Sequence, residues 1–361
     1  GIYIHIPFCN EVCIYCDFTK MVTKLDNKIK YIDRLLEEID NNISYFNDID
    51  TIYIGGGTPN SLPLNLLEKL LIKLNPYLDK TKENSIELNP ELINDDLLIL
   101  LKKYNFNRLS IGVESFNDDI LKLIRRKYDK NLVFDKIKLA KYYGFDNINI
   151  DLIFGLPGQT LNDIIYDLNY FKDLNINHLS YYDLILEDKT ILNNYINMHK
   201  CKLLDDELLA DMYDYINKFM YEAGYNHYEI SNYAKEGFES IHNLKYWSEE
   251  EYLGLGLGAS SFINNYRIKN KNKLIDYFNE FIDTKEFINE EEEKKEFVML
   301  GLRKLKGISI SEYNKRYHSD ILNDFNFKKF IINNIIIIDN DYIKIKEDKM
   351  FISNLIIGEL I

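Results

Sequence analysis

Short apolar, β-branched runs recur through the first half of the chain, at Ile2–Ile6, Thr51–Ile54, Ser85–Leu88, Arg108–Ile111, Asn147–Ile153 and His178–Leu184. Runs of this length and composition predict strands buried on both faces. Between them the apolar period lengthens to that of a helix, over Asp26–Ile43, Leu62–Leu74, Asp95–Tyr104, Asp118–Arg126, Leu132–Tyr143 and Leu161–Leu174. Six strand–helix units in series call for parallel pairing through right-handed crossovers, hence an α/β barrel or open sheet. In such folds the chemistry sits at the C-terminal ends of the strands.

The rhythm changes after about Glu187. A long helical pattern, Asp205–Ala223, precedes an irregular region rich in Gly and Tyr, Tyr225–Phe262. The charge run Asn289–Glu296 then opens a helix toward Lys304, most simply as a solvated helix start. The tail reads as two helices, a hairpin of Ile335–Asp339 and Tyr342–Lys346 around Asn340-Asp341, and a final helix, Phe351–Leu360. That order predicts a small α+β, winged-helix-like module that packs or meets a partner. The expected division is 1–187 for the barrel, 188–288 for a barrel extension and linker, and 289–361 for the module.

Composition narrows the function classes. With 46% hydrophobic and 28% charged residues in 361, the chain is globular, not disordered. Its 44 Lys and Arg against 58 Asp and Glu leave a charge of -14, which argues against a nucleic-acid partner. No apolar run approaches the roughly 18 residues of a membrane span, and the start of the chain lacks the basic region of a secretory leader. Of four cysteines, three cluster at Cys9, Cys13 and Cys16 and Cys201 stands apart. A secreted disulfide scaffold would spread them, so a reducing, cytoplasmic setting is expected, with the clustered thiols holding something.

Cys9, Cys13 and Cys16 directly follow the first strand. Three thiolates on one tight loop can ligate three irons of a 4Fe-4S cube and leave the fourth free to bind a small molecule. A structural zinc site would need a second ligand pair, and none exists here.

The residues around this cluster carry a wider likeness. Tyr3-Ile-His-Ile-Pro-Phe-Cys9 through Cys16-Asp-Phe18 resembles the start of radical S-adenosylmethionine (SAM) proteins of the coproporphyrinogen oxidase-like family. The likeness continues through Gly55-Gly-Gly-Thr-Pro59, Glu87-Leu-Asn-Pro90, Arg108–Val113, Asn149–Pro157, His178-Leu-Ser180, Tyr228–Asn232, His242–Trp247 and Tyr252–Ala259, nearly the whole chain. It implies a partial parallel (β/α)6 radical SAM barrel, a cluster on Cys9, Cys13 and Cys16, and SAM chelated to the open iron. Gly56, Gly57 and Thr58 would then touch SAM, since glycines let bare backbone come close. Glu87 would accept from ribose hydroxyls or the ammonium, and Arg126 would grip the carboxylate, with Arg125 as the competing neighbour. Glu114 stands where the family commonly has Gln, and keeps an acceptor while losing a donor. Asp151, Tyr3 and Tyr15 are further expected SAM contacts, and Ile185 would offer backbone and apolar contact.

The family holds both oxygen-independent coproporphyrinogen III oxidases and HemW-type haem chaperones. Oxidases carry a fourth cysteine two residues after the third, where this chain has Phe18, and an extension longer than the eight residues ahead of Cys9. His242-Asn-Leu-Lys-Tyr-Trp247 resembles the HNxxYW haem motif of the chaperones, which makes His242 the expected axial ligand. The resemblance thus implies a haem chaperone, with oxidative decarboxylation as the alternative activity. Its implied partners are haem, an apo-haemoprotein acceptor at the membrane, an electron donor and a second copy of the chain in a homodimer. His5 is expected to support the cluster loop; His178, His199, His227 and His318 are expected to be structural.

Overall fold

The computed structural model describes residues 1–361. Six parallel strands appear where the apolar runs predict them: β1 (Ile2–Ile6), β2 (Thr51–Gly56), β3 (Glu83–Leu88), β4 (Arg108–Glu114), β5 (Asn147–Phe154) and β6 (His178–Asp183). Each pairs with its predecessor in sequence order. The crossovers carry α1 (Leu25–Asn41), α2 (Leu64–Leu78), α3 (Asp95–Lys103), α4 (Asp118–Leu123), α5 (Lys130–Tyr142) and α6 (Leu161–Leu174). Local chemistry sets their ends. Asn94 caps α3 through the Leu97 amide, and Thr160 with Asp163 forms a capping box on α6.

One helix is shorter than its pattern. The sequence predicts α4 through Arg126, but it stops at Leu123 because Arg125 turns left-handed at φ 65° and the Arg126 amide bonds back to Leu121 O at 2.8 Å. That turn sends two adjacent arginines in different directions.

Part of the segment beyond Glu187 extends the same sheet at both of its edges. After α7 (Ile191–Asn197) and α8 (Asp206–Glu222), a hairpin of β7 (Asn226–Glu229) and β8 (Asn232–Ala234) adds antiparallel to β6. The helix α9 (Ile241–Trp247) follows, and β9 (Leu253–Leu255) joins the opposite edge parallel to β1. The strand order is therefore β7-β8-β6-β5-β4-β3-β2-β1-β9. A separate antiparallel sheet of β10 (Ser260–Ile263), β11 (Tyr266–Asn270) and β12 (Ile282–Phe287) comes next, with α10 (Leu274–Asn279) between its last two strands.

The charge run opens α11 (Glu290–Gly301) through an Asn289/Glu292 capping box, as expected of a solvated helix start. The tail contains the expected hairpin, turned at Asn340 with φ 53°, together with a short third strand. Its elements are β13 (Ile308–Ser309), α12 (Ile310–Tyr317), α13 (Ile321–Asp324), α14 (Lys328–Ile332), β14 (Ile336–Asp339), β15 (Tyr342–Ile345) and α15 (Ser353–Leu360). The last helix starts two residues later than predicted, because Glu347–Ile352 winds as a 3-10 turn. The module is stitched to the barrel through Ile230 N to Arg303 O at 3.1 Å and Leu305 N to Tyr228 O at 3.1 Å. No helix is long and apolar enough to cross a membrane.

Candidate functional site

The cysteine loop leaves β1 and closes on itself. Met21 N donates to Pro7 O at 2.7 Å and Cys9 N to Met21 O at 3.0 Å, while Lys20 Nζ holds Cys16 O. His5, buried in β1, reaches Thr19 O with Nε2 at 2.7 Å and Tyr3 OH with Nδ1 at 2.9 Å. Burial pushes its pKa down to about 4, so it stays neutral and holds the loop. The three thiols face a common cavity of about 460 Å³ and are each half-buried. Desolvation raises all three, the Thr58 hydroxyl contact at 3.5 Å partly opposing this at Cys9. No three His, Cys, Asp or Glu side chains converge on one point as a single metal ion requires.

The ends of β2 to β5 supply the other walls: Gly56, Gly57, Thr58, Glu87, Asn89, Glu114 and Asp151, with Tyr15 and Arg126. A Cβ on Gly57 would lie 2.9 Å from Cys9 Sγ, and one on Gly56, at φ 118°, would strike the His5 ring. Glu87 accepts from Gly56 N at 2.8 Å and Tyr53 OH at 2.9 Å, and burial pushes its pKa up to about 7. Asp151, raised to about 6 by desolvation, accepts from Ser110 Oγ at 3.1 Å and Asn149 Nδ2 at 2.9 Å. Glu114, at φ 65° beside a β-bulge, pairs with Arg126 Nη2 at 2.5 Å. Arg126 also donates to Asn89 Oδ1 at 2.9 Å and to Tyr15 OH at 3.4 Å, yet its buried Nε has no partner. An orphaned guanidinium donor beside glycines and three thiols fits a carboxylate-bearing ligand on an iron-sulfur cluster. Arg125 instead bonds the Tyr195 hydroxyl at 2.9 Å, outside this cavity.

Most of the expected residues therefore meet at one rim. Ile185 and Phe18 stand at its mouth, 69% and 68% exposed. Tyr3 does not line the cavity: its hydroxyl serves His5 and its ring stacks 6.1 Å from Tyr53, below the rim.

His242 lies elsewhere, at the N-terminal end of the parallel strands. It is 1% exposed, its Nδ1 is 2.8 Å from Thr51 Oγ1, and its Nε2 is 2.8 Å from Tyr246 OH. Its ring stacks on Tyr53 at 5.2 Å. Desolvation lowers its pKa to about 3. Both nitrogens are engaged, so ligating iron here would require breaking one of these bonds. Glu83 fixes α9 over this floor, accepting from the Ile241 and His242 amides, each at 3.0 Å. His178 is structural as expected, held between Asn149 Oδ1 at 2.6 Å and Tyr228 OH at 2.7 Å.

Sequence reasoning passed over Tyr53, Asn89 and Tyr182, which also line the rim cavity. Asn89 was visible in principle, two positions beyond Glu87 on the same strand face. Tyr53 carried no signal beyond its place before the glycines.

The radical SAM superfamily profile matches residues 3–171, and the HemN C-terminal domain matches residues 288–348. A haem chaperone HemW of Lactococcus lactis is 39% identical over 322 residues, 87% of this chain and 84% of that protein. The HemW of Bacillus subtilis is 39% identical over 87% of this chain and 86% of its own length, and that of Escherichia coli 36% over 72% and 69%. Among solved structures, the coproporphyrinogen III oxidase HemN of Escherichia coli superposes with a TM-score of 0.86, covering 99% of this chain and 89% of that one at 23% identity, a likeness of fold. Radical SAM membership implies a 4Fe-4S cluster and SAM. With a three-cysteine rim, a six-stranded parallel core and identity to these relatives over most of its length, this chain belongs to the HemW family of radical SAM proteins.

Proposed function

We propose that this protein is a haem chaperone: it binds haem as cargo and delivers it to apo-haemoproteins, with a 4Fe-4S cluster and SAM as resident groups. The observation that supports this most is the 39% identity, over 87% of the chain, to two proteins named as haem chaperones. The likeness to the oxidase is one of fold, and Phe18 stands exposed at the rim where the oxidases carry a further cysteine.

Cys9, Cys13 and Cys16 would hold the cluster. Bound there, it supplies a low-potential electron to the sulfonium of SAM. Gly56 and Gly57 leave room for the methionine part, and Arg126, with its free Nε, takes the carboxylate. Glu114 holds that guanidinium in place, so the departure from Gln becomes a positioning ion pair. Glu87, at a pKa near 7, accepts from an ammonium or ribose hydroxyl, and Asp151 lies beside it as a second acceptor. Tyr15 and Ile185 border the opening, where they would meet the bound SAM. The protein acts in the cytoplasm and meets membrane-bound acceptors from there, drawing on an electron donor and, in one form, as a homodimer.

Anaerobic incubation with reductant and SAM, offering haem and coproporphyrinogen III in separate reactions, tests the reading. Haem should bind and pass to an apo-haemoprotein, with no decarboxylation. Formation of protoporphyrinogen would establish the oxidase instead.

A further inference from the structure

α9 has two faces, and only one looks at the barrel. His242 and Tyr246, four residues apart, point inward. The opposite stripe of Ile241, Leu244, Lys245 and Ser248, with Trp247 beside it, lines a second cavity of about 470 Å³ against the C-terminal module. Phe297, Ile308 and Tyr342 close it from the module side. The volume is that of an organic-ligand pocket.

Its charges are unevenly matched. Lys245 bridges Asp50 at 2.9 Å and Glu250 at 2.7 Å, which accounts for one cation and two acids. Lys304 has a single side-chain hydrogen-bond partner, Ser248 Oγ at 3.0 Å, and forms no ion pair; Glu312 is the remaining carboxylate on the wall. Desolvation lowers the pKa of Lys304, as expected of an ammonium held away from water without a counter-ion. Its neighbour Arg303 is likewise desolvated and rests 5.7 Å over the Trp247 ring. Lys306 sits 4.8 Å over Tyr342. Two unpaired lysines among aromatic and aliphatic walls, in a chain of charge -14, suit a flat apolar molecule that carries carboxylates.

We propose that this cavity is the cargo seat: a tetrapyrrole lies against Trp247 and Leu244, with a propionate carboxylate on the Lys304 ammonium. This rests on the haem-chaperone reading. It moves the cargo to the outer face of the motif helix, where binding needs no histidine nitrogen.

Trp247 is the only tryptophan and stands on the wall of this cavity, so the tryptophan emission of the chain arises there. The full chain is titrated with metal-free protoporphyrin IX and with its dimethyl ester in the same detergent, while haem binding is followed separately by its Soret band. Protoporphyrin IX should quench Trp247 saturably, and the ester should bind about tenfold more weakly or worse, the worth of one charged hydrogen bond. Lys304→Gln should weaken the free acid by a similar factor, and Lys304→Arg should restore it. The acid–ester comparison on the unaltered chain stands even if Lys304→Gln misfolds. Equal affinity for acid and ester, or an unchanged affinity in a folded Lys304→Gln, overturns the seat. Haem that binds by its Soret band without quenching Trp247 also overturns it and leaves the chaperone reading intact. A chain that binds no haem at all removes the chaperone reading as well.

Discussion

The two ends of the parallel strands are built from similar residues and, Arg108 Nε at the N-terminal end aside, left in opposite states. At the C-terminal end, carboxylates, a guanidinium and thiols are held with bonding capacity to spare. Arg126 Nε is unpartnered, Glu87 and Asp151 are pushed toward neutrality, and glycines keep side chains out. At the N-terminal end, Glu83 takes the amides that open α9, His242 engages both ring nitrogens, and Lys245 holds two acids. Buried polar groups that satisfy one another rigidify a structure, whereas unsatisfied ones are costly unless a ligand completes them. One end is therefore a foundation and the other a receptor. Tyr53 spans them, with its hydroxyl on Glu87 and its ring on His242.

The largest effects should separate these roles. Cys13→Ser should abolish the cluster: anaerobically reconstituted material, expected at about four irons and four sulfides in the parent, should fall to background by iron and sulfide assay. The thermal midpoint of the metal-free chain should barely move, because Cys13 is only half-buried. Glu83→Ala should do the reverse. It strips a buried carboxylate from two helix-opening amides, at a cost of about 3–4 kcal/mol in urea denaturation, while cysteine-dependent cluster assembly survives in whatever folds. A Glu83→Ala chain as stable as the parent would mean that the floor is not a foundation.

The six strands were legible because strands buried on both faces must be continuous apolar runs, and the cysteines because three thiols in one loop have few structural uses. What the sequence hid was short or distant. The strands β7, β8 and β9 have three or four residues each, too few to show a period, so Tyr225–Phe262 read as irregular. The motif around His242 suggested a free ligand, but its partners include Thr51, 191 residues away, which no local pattern reveals. Arg125 and Arg126 could not be told apart until the left-handed turn at Arg125 aimed one outward. Tyr3 sat in the right motif and on the right strand, yet its hydroxyl is taken by His5.

A smaller effect sharpens the contrast through pH. The folded pKa of His242, about 3, lies below its ordinary 6.5, so the unfolded chain takes up the proton first as pH falls. Its contribution to stability is complete above about pH 6.5 and is lost progressively toward pH 3. Between pH 7 and pH 5 the parent should lose roughly 2 kcal/mol more than a His242→Gln chain, which cannot titrate there. Urea midpoints at the two pH values measure this, and contributions from His5 and His178 cancel in the difference. Identical losses would mean that His242 is already exposed in solution, and so free to meet iron.

The finest test sets two adjacent arginines against each other. Arg126→Lys keeps a cation opposite Glu114 but gives up the planar fork, including the orphaned Nε, so SAM affinity of the reconstituted protein should fall about tenfold by calorimetric titration, near 1.4 kcal/mol. Arg125→Lys alters only an exposed contact to Tyr195 and should leave that affinity within about 0.5 kcal/mol of the parent. If the two substitutions weaken SAM equally, the left-handed turn does not sort them. The unpaired Nε would then be an ordinary packing defect, and the rim would lose the feature that most clearly marks it as unfinished without its ligand.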